Sequence, residues 1–168
     1  MTDYQMDLAL IRRWFDAIDA KNGIGEELFL AVSQLVPSVN VELLIRSDDR
    51  KSTLLTWRDD QYYGPGWHVP GGIIRFKEEM KERVEKVAKR EFDRKLASVN
   101  GPIGFHEMFN HTRDIRGHFL SFVFEVTLDE PPDEDRRAAD ELEDGMWRWF
   151  DHCPQNLIPN QSQLRKYL

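Results

Sequence analysis

Residues 67–96, WHVPGGIIRFKEEMKERVEKVAKREFDRKL, constrain the fold of this chain more tightly than any other stretch. A Pro-Gly-Gly bend leads into a short apolar run and then into one long charged helix. Two adjacent glycines permit positive φ and a close approach of backbone to a ligand, where a bend alone usually needs one. Ile73, Ile74 and Phe76 read as a short strand or extended loop, with Arg75 on the side opposite Ile74. The helix is expected from Glu78. At about 100° per residue, Met80, Val84, Val87, Ala88 and Phe92 share one broad face, which must pack. Glu91 falls between Met80 and Val84 on that wheel, roughly 20° from Met80. An ionised carboxylate cannot be buried there alone, so Glu91 requires a base, hydrogen bonds or a bound cation. A salt bridge at the edge of the core and a metal ligand both satisfy this.

Gly72, Glu78, the basic Lys86 and Glu91 together resemble the Nudix box of the Nudix hydrolases, in degenerate form. The usual box carries a glutamate after the basic residue, a later Glu-Glu pair and then a glycine. Val87, Arg90 with Glu91, and Asp93 stand in those places here. A rival register, matching Arg90-Glu91-Phe92 to the family's Arg-Glu-apolar triplet, needs an extra helical turn and puts Arg94 and Lys95 where acids belong. The single surviving glutamate behind an intact WxVPGG is similar to the GDP-mannose mannosyl hydrolase branch. The likeness runs from about residue 39 to the C-terminus.

A chain of 168 residues with 40% hydrophobic content buries one ordinary core, so one domain is expected over 1–168, with a helical extension at 1–36 and the Nudix-like core at 37–168. A net charge of -7 argues against broad nucleic-acid binding, which needs clustered Lys and Arg, but leaves room for a local basic pocket. The lone Cys153 fits a reducing compartment. Without a membrane-length apolar run or a signal peptide, the expected address is cytoplasmic, with no membrane partner.

In chain order, residues 4–19 place Leu8, Ile11, Phe15 and Ile18 at helical spacing, and a second helix after Gly25 puts Leu28, Ala31, Val32 and Leu35 on one side. Such stripes cover an edge of the domain or meet a second copy of the chain as a homodimer. Residues 39–46 and 52–58 read as a hairpin, with Glu42 and Arg58 as surface residues. Residues 101–110 and 117–128 alternate as two more strands around HTRDIRG, where His111 reads as solvated or as a base. The acidic run 129–144 is a loop ahead of an aromatic strand at 146–150, and the tail from Pro159 reads as a short closing helix.

The resemblance implies an α/β fold: a Nudix-type α/β/α sandwich with a mixed β-sheet and an N-terminal helical extension. It also implies a small-molecule substrate, a nucleotide sugar such as GDP-mannose, and a Mg2+ or Mn2+ cofactor. Magnesium is commonly held by one or two carboxylates plus phosphates and waters, so few acids suffice. By the resemblance, Glu91, the Gly71 carbonyl and Glu143 are the metal ligands. Asp144, which stands in the place of a histidine base, and His111 are the catalytic candidates. Arg58, Lys86 and Arg75 are the substrate contacts, with Arg75 taking over from the arginine that the branch carries at the position of Ile73. Water is expected to attack the sugar carbon. An ordinary diphosphatase attacking phosphorus and a non-catalytic ligand-binding domain stay open as alternatives.

Overall fold

The structure is a computed structural model that describes residues 8–168. Residues 4–7 of the expected first helix lie outside the described residues. The helix α1 (Leu8–Asp16) buries none of its side chains, leaving Leu8, Trp14 and Phe15 exposed. The second helix, α2 (Glu26–Val32), follows Gly25 as expected, but its facing differs in part. Val32 of the expected stripe turns inward together with Phe29, while Ala31 and Leu35 are exposed. Tyr62 Oη (2.6 Å) and Gln61 Nε2 (3.1 Å) donate to Glu26 Oε1, while the Arg116 N–H donates to Ser33 Oγ at 3.1 Å. These bonds fix the orientation of α2 against loops of the sheet. Among the described residues no helix is long and apolar enough to cross a membrane.

Among the described residues, seven strands form one mixed sheet. The expected hairpin is β1 (Ser38–Arg46) and β2 (Thr53–Arg58), with Ile45 opposite Leu54. On β2 lie β3 (Gly66–His68) and β7 (Trp147–Phe150), while β4 (Gly71–Ile73) runs antiparallel to β1. The long antiparallel pair β5 (Leu96–Phe109) and β6 (His118–Leu128) joins through β6, which is parallel to β1. Strand β5 starts at Leu96 rather than at residue 101, because an irregularity between Asn100 and Gly104 accommodates Gly101 and Pro102 within the strand.

The packing helix is α3 (Met80–Phe92). Its Val84, Val87, Ala88 and Phe92 meet Val41, Leu43 and Ile45 of β1, and Met80 packs at the margin of that cluster. Each fully buried Val or Phe side chain there contributes about 1.5–3 kcal/mol. The other face of β1 presents Leu44 to Trp67, Val69, Leu157 and Leu164, under the C-terminal 3₁₀ helix Pro159–Tyr167. The sheet is thus covered on both faces, giving the α/β architecture. The expected short closing helix is present but wound as 3₁₀.

Two expectations change with the structure. Gly71 and Gly72 do not form a left-handed bend; they lie in β4, and neither is among the positive-φ residues. Their smallness serves close packing. A Cβ at Gly71 would stand 2.6 Å from Glu42 Oε2, and one at Gly72 would stand 2.7 Å from Val87 Cγ2. Second, Glu42 is not a surface residue but is only 3% exposed. It points to the Leu44 face because side chains alternate along a strand. There it accepts hydrogen bonds from Ser121 Oγ (3.1 Å) and Gln161 Nε2 (3.0 Å). Gln161 also donates to the Val69 carbonyl and accepts from the Val69 N–H, so its amide ties the closing helix to the sheet. Burial pushes the Glu42 pKa up to about 8, against the opposing influence of Ser121, Asn40, Arg58 and Gln161.

A raised pKa means that the folded state holds this proton while the unfolded chain releases it. Stability from Glu42 is therefore full below about pH 4.5 and is lost as pH rises to about 8, by up to about 1.4 kcal/mol per pH unit. The melting temperature of Glu42→Gln minus that of the wild type should rise steadily over this window. A pH-independent difference would show that Glu42 is ionised in the fold. A second prediction concerns the end of α3, where Asp93 adopts the left-handed conformation at φ 54°. Glycine has no Cβ penalty there. Asp93→Gly should raise stability to urea by about 1 kcal/mol, less the small worth of the exposed Lys89–Asp93 pair.

Candidate active site

A cavity of about 970 Å³ opens between β1, β4, the loop after β2 and the inner side of α2. It falls in the size range of small-ligand sites, roughly 300–1,000 Å³. Several of residues 20–37 line it, including Gly23, Glu26, Phe29 and Val32. The N-terminal extension is therefore part of the site rather than a cover for a remote edge.

Arginines line the same cavity. Arg58, at the end of β2, donates through Nε to Asp60 Oδ2 at 2.6 Å, and its guanidinium lies 4.9 Å from the Tyr63 ring centre. Asp60 also accepts from the Tyr62 and Tyr63 N–H groups at 2.7 and 2.8 Å, which shapes the loop. Burial works to raise the Asp60 pKa, but these two N–H groups and Arg58 outweigh it and hold the carboxylate ionised. Arg116 reaches the same region from the β5–β6 connection, 4.6 Å from the Tyr62 ring centre and 5.5 Å from those of Tyr63 and Phe29. Its Nε is buried with no hydrogen-bond partner among the described residues. Burial lowers its pKa, and the nearby positive charge of Arg58 lowers it further. Two arginines thus line one cavity, and one of them has a buried donor with no partner among the described residues. Arg75 lines the same cavity, with its guanidinium against Gly23.

Glu91 is half-buried on the last turn of α3 and faces the cavity. Its Oε1 accepts from Arg90 Nε (2.9 Å) and Nη2 (2.6 Å), and the same Nη2 donates to the Gly71 carbonyl at 3.1 Å. A carboxylate and a carbonyl oxygen thus converge on one cationic group. This oxygen pair suits a hard divalent cation that takes the rest of its shell from phosphate and water. No third ligand joins it: among the described residues, no group of three or more His, Cys, Asp or Glu side chains is arranged to hold a metal.

Asp144 also lines the cavity, where its Oδ1 accepts from the Asp59 N–H at 3.0 Å. Beside it is His68, which sequence reasoning passed over. Burial, and then the charge of Arg58, lower the His68 pKa to about 4, against the carboxylates of Asp144 and Asp60. The ring is neutral at neutral pH. Its Nδ1 lies 3.0 Å from the Thr56 carbonyl, which can only accept, so Nδ1 carries the proton and Nε2 is the basic nitrogen.

Three expected site residues lie elsewhere. Lys86 donates to Glu78 Oε1 at 2.8 Å, outside the cavity lining, because Glu78 gathers it together with Arg83 and the Arg75 N–H. Burial works to raise the Glu78 pKa, but Lys86, the Arg75 N–H and Arg83 bring it down to about 2. His111 is exposed on the β5–β6 turn, stacked on Phe109. Glu143 is exposed; its N–H points to the Met146 sulfur, and it does not line the cavity. Of the functional candidates missed, Arg116 left a signal in HTRDIRG, where two arginines stand three residues apart. His68 left none, since a histidine between Trp67 and Val69 reads as an ordinary strand residue.

No family model matches the chain. The low-salt glycan biosynthesis protein Agl8 of Haloferax volcanii is 32% identical to it over 111 residues, 64% of this chain and 69% of that protein. Among solved structures, a MutT Nudix hydrolase from Burkholderia pseudomallei superposes with a TM-score of 0.56 at 20% identity, covering 73% of this chain and 90% of that one. A Nudix hydrolase from Nitrosomonas europaea gives a TM-score of 0.52 at 20% identity, covering 68% and 72%. These structures share the fold, and the Haloferax protein matches over 69% of its length. The chain belongs to the Nudix hydrolase family.

Proposed function

We propose that the chain hydrolyses a nucleoside diphosphate derivative, a nucleotide sugar, with GDP-mannose the first substrate to test. The observation that carries this reading is the convergence of Arg58 and Arg116 on one cavity in a chain of net charge -7. Asp60 already pairs with Arg58, but among the described residues no carboxylate forms an ion pair with Arg116, and a diphosphate offers paired oxygens to planar guanidinium donors. The glycan-biosynthesis description of the Haloferax relative supports a sugar on the far side of that diphosphate.

In this reading Arg58, Arg75 and Arg116 bind and orient the diphosphate, and the aromatic wall of Phe29, Tyr62 and Tyr63 keeps water from its flanks. Glu91 and the Gly71 carbonyl hold Mg2+ or Mn2+, which when bound neutralises charge on the departing diphosphate. Asp144 is the group placed to take a proton from water, with the neutral Nε2 of His68 beside it. With its pKa lowered to about 4 by burial, His68 is a weak base at neutral pH, and its part is to accept a hydrogen bond that orients the water. Attack at the sugar carbon is favoured because Val87 and Arg90 replace the glutamates that usually handle water at phosphorus.

The test is hydrolysis of GDP-mannose and related nucleotide sugars with magnesium in ¹⁸O-labelled water. Attack at carbon yields a labelled free sugar and an unlabelled nucleoside diphosphate. Label in a nucleoside monophosphate or sugar phosphate would establish attack at phosphorus instead. Arg58→Ala and Arg116→Ala should each raise KM about 10- to 100-fold, the worth of a lost charged hydrogen bond of about 1.5–3 kcal/mol. Unchanged KM in both variants would remove the anion site from the reading. Glu91→Gln, which keeps the volume and loses the charge, should abolish turnover while leaving the melting temperature nearly unchanged.

A further inference from the structure

Arg90 stands where the family box has the first of its paired glutamates, so a cation replaces an acid beside the oxygens that would hold a metal. It is anchored by more than its neighbour in sequence. An ion pair between adjacent residues, one of them exposed, is worth little, but Nη2 of Arg90 also reaches across to the Gly71 carbonyl on β4, bridging two elements. One guanidinium therefore covers both groups that converge on the cation position. A divalent ion and this guanidinium cannot share it, because both draw on the same lone pairs and repel each other. The Arg90 side chain is 58% exposed and borders the cavity, so it has room to leave. A diphosphate entering the cavity offers it oxygen pairs that match its planar donors better than one carboxylate oxygen and one carbonyl do.

We propose that Arg90 is a built-in competitor of the metal. It holds the Glu91 and Gly71 oxygens in the empty site and releases them when a diphosphate takes over its guanidinium. The inference rests on the proposed nucleotide-diphosphate reading. Its consequence is that metal and nucleotide bind with strong positive coupling, and a bare divalent ion binds poorly. Reciprocity requires the metal to tighten the nucleotide by the same factor.

The experiment is a Mn2+ titration of the full chain by calorimetry and electron paramagnetic resonance, without nucleotide, on the wild type and Arg90→Gln. Melting curves first show that the variant is folded; Arg90→Ala serves if it is not. The variant should bind Mn2+ at least about fivefold more tightly than the wild type, the lower end of ordinary coupling factors. Saturating GDP, after correction for the Mn2+–GDP complex, should tighten Mn2+ in the wild type and do so less in the variant. A smaller gain in affinity, no Mn2+ binding by either protein, or equal coupling in both overturns the proposal. Nucleotide-sugar turnover by the wild type is read separately, so the hydrolase reading can stand when this one falls.

Discussion

Strand β4 runs so close to α3 that the nearest side-chain carbon, Val87 Cγ2, lies 2.7 Å from where a Cβ on Gly72 would be. On its other side, Gly71 lies against the buried carboxyl of Glu42. Any larger residue at either position would push the strand from the helix or from β1, and the Gly71 carbonyl would leave Glu91 and Arg90. The two glycines hold the site together by being small, and the rest of the arrangement depends on that closeness.

Around this contact the cavity gathers charges of both signs. The chain as a whole is acidic, while the cavity lining brings arginines and acids together in equal number. Several acids in the lining are committed to local partners: Asp60 to backbone N–H groups and Arg58, Glu91 to Arg90, Asp144 to the Asp59 N–H. Glu42 is driven towards its neutral form by burial. With Glu42 driven neutral, five arginines, Arg58, Arg75, Arg83, Arg90 and Arg116, line the cavity against the four other acids Glu26, Asp60, Glu91 and Asp144.

The extension at the N-terminus changes the character of the pocket. Glu26 and Ser33 are fastened to Tyr62, Gln61 and the Arg116 backbone, so α2 stands as a wall facing the arginines. Phe29 and Val32 make that wall apolar. The cavity is thus lined on one side by residues outside the stretch whose pattern resembles the family.

Periodicity determined much of the fold from the sequence alone. The face of Val84, Val87, Ala88 and Phe92, the β1–β2 hairpin, the strands on either side of HTRDIRG and the helix after Gly25 all follow from local spacing, because each element buries one side with its own period. The box spacing also singled out Glu91 and Gly71, which the structure brings together on Arg90. Other features depended on residues distant in sequence. Glu42 has the local pattern of a surface acid, and only Ser121 and Gln161, from β6 and the closing helix, make its burial tolerable. Gly71 and Gly72 look like a bend, and only the approach of α3 shows that they are spacers. Lys86 faces Glu78 because the turn before α3 folds back on the helix. Arg116 and His68 reach the cavity while His111 and Glu143 do not, since loops are aimed by the elements that they touch rather than by their composition. Spacing along the chain fixed the elements; the close contacts between them, which no local pattern encodes, decided which charges face the ligand.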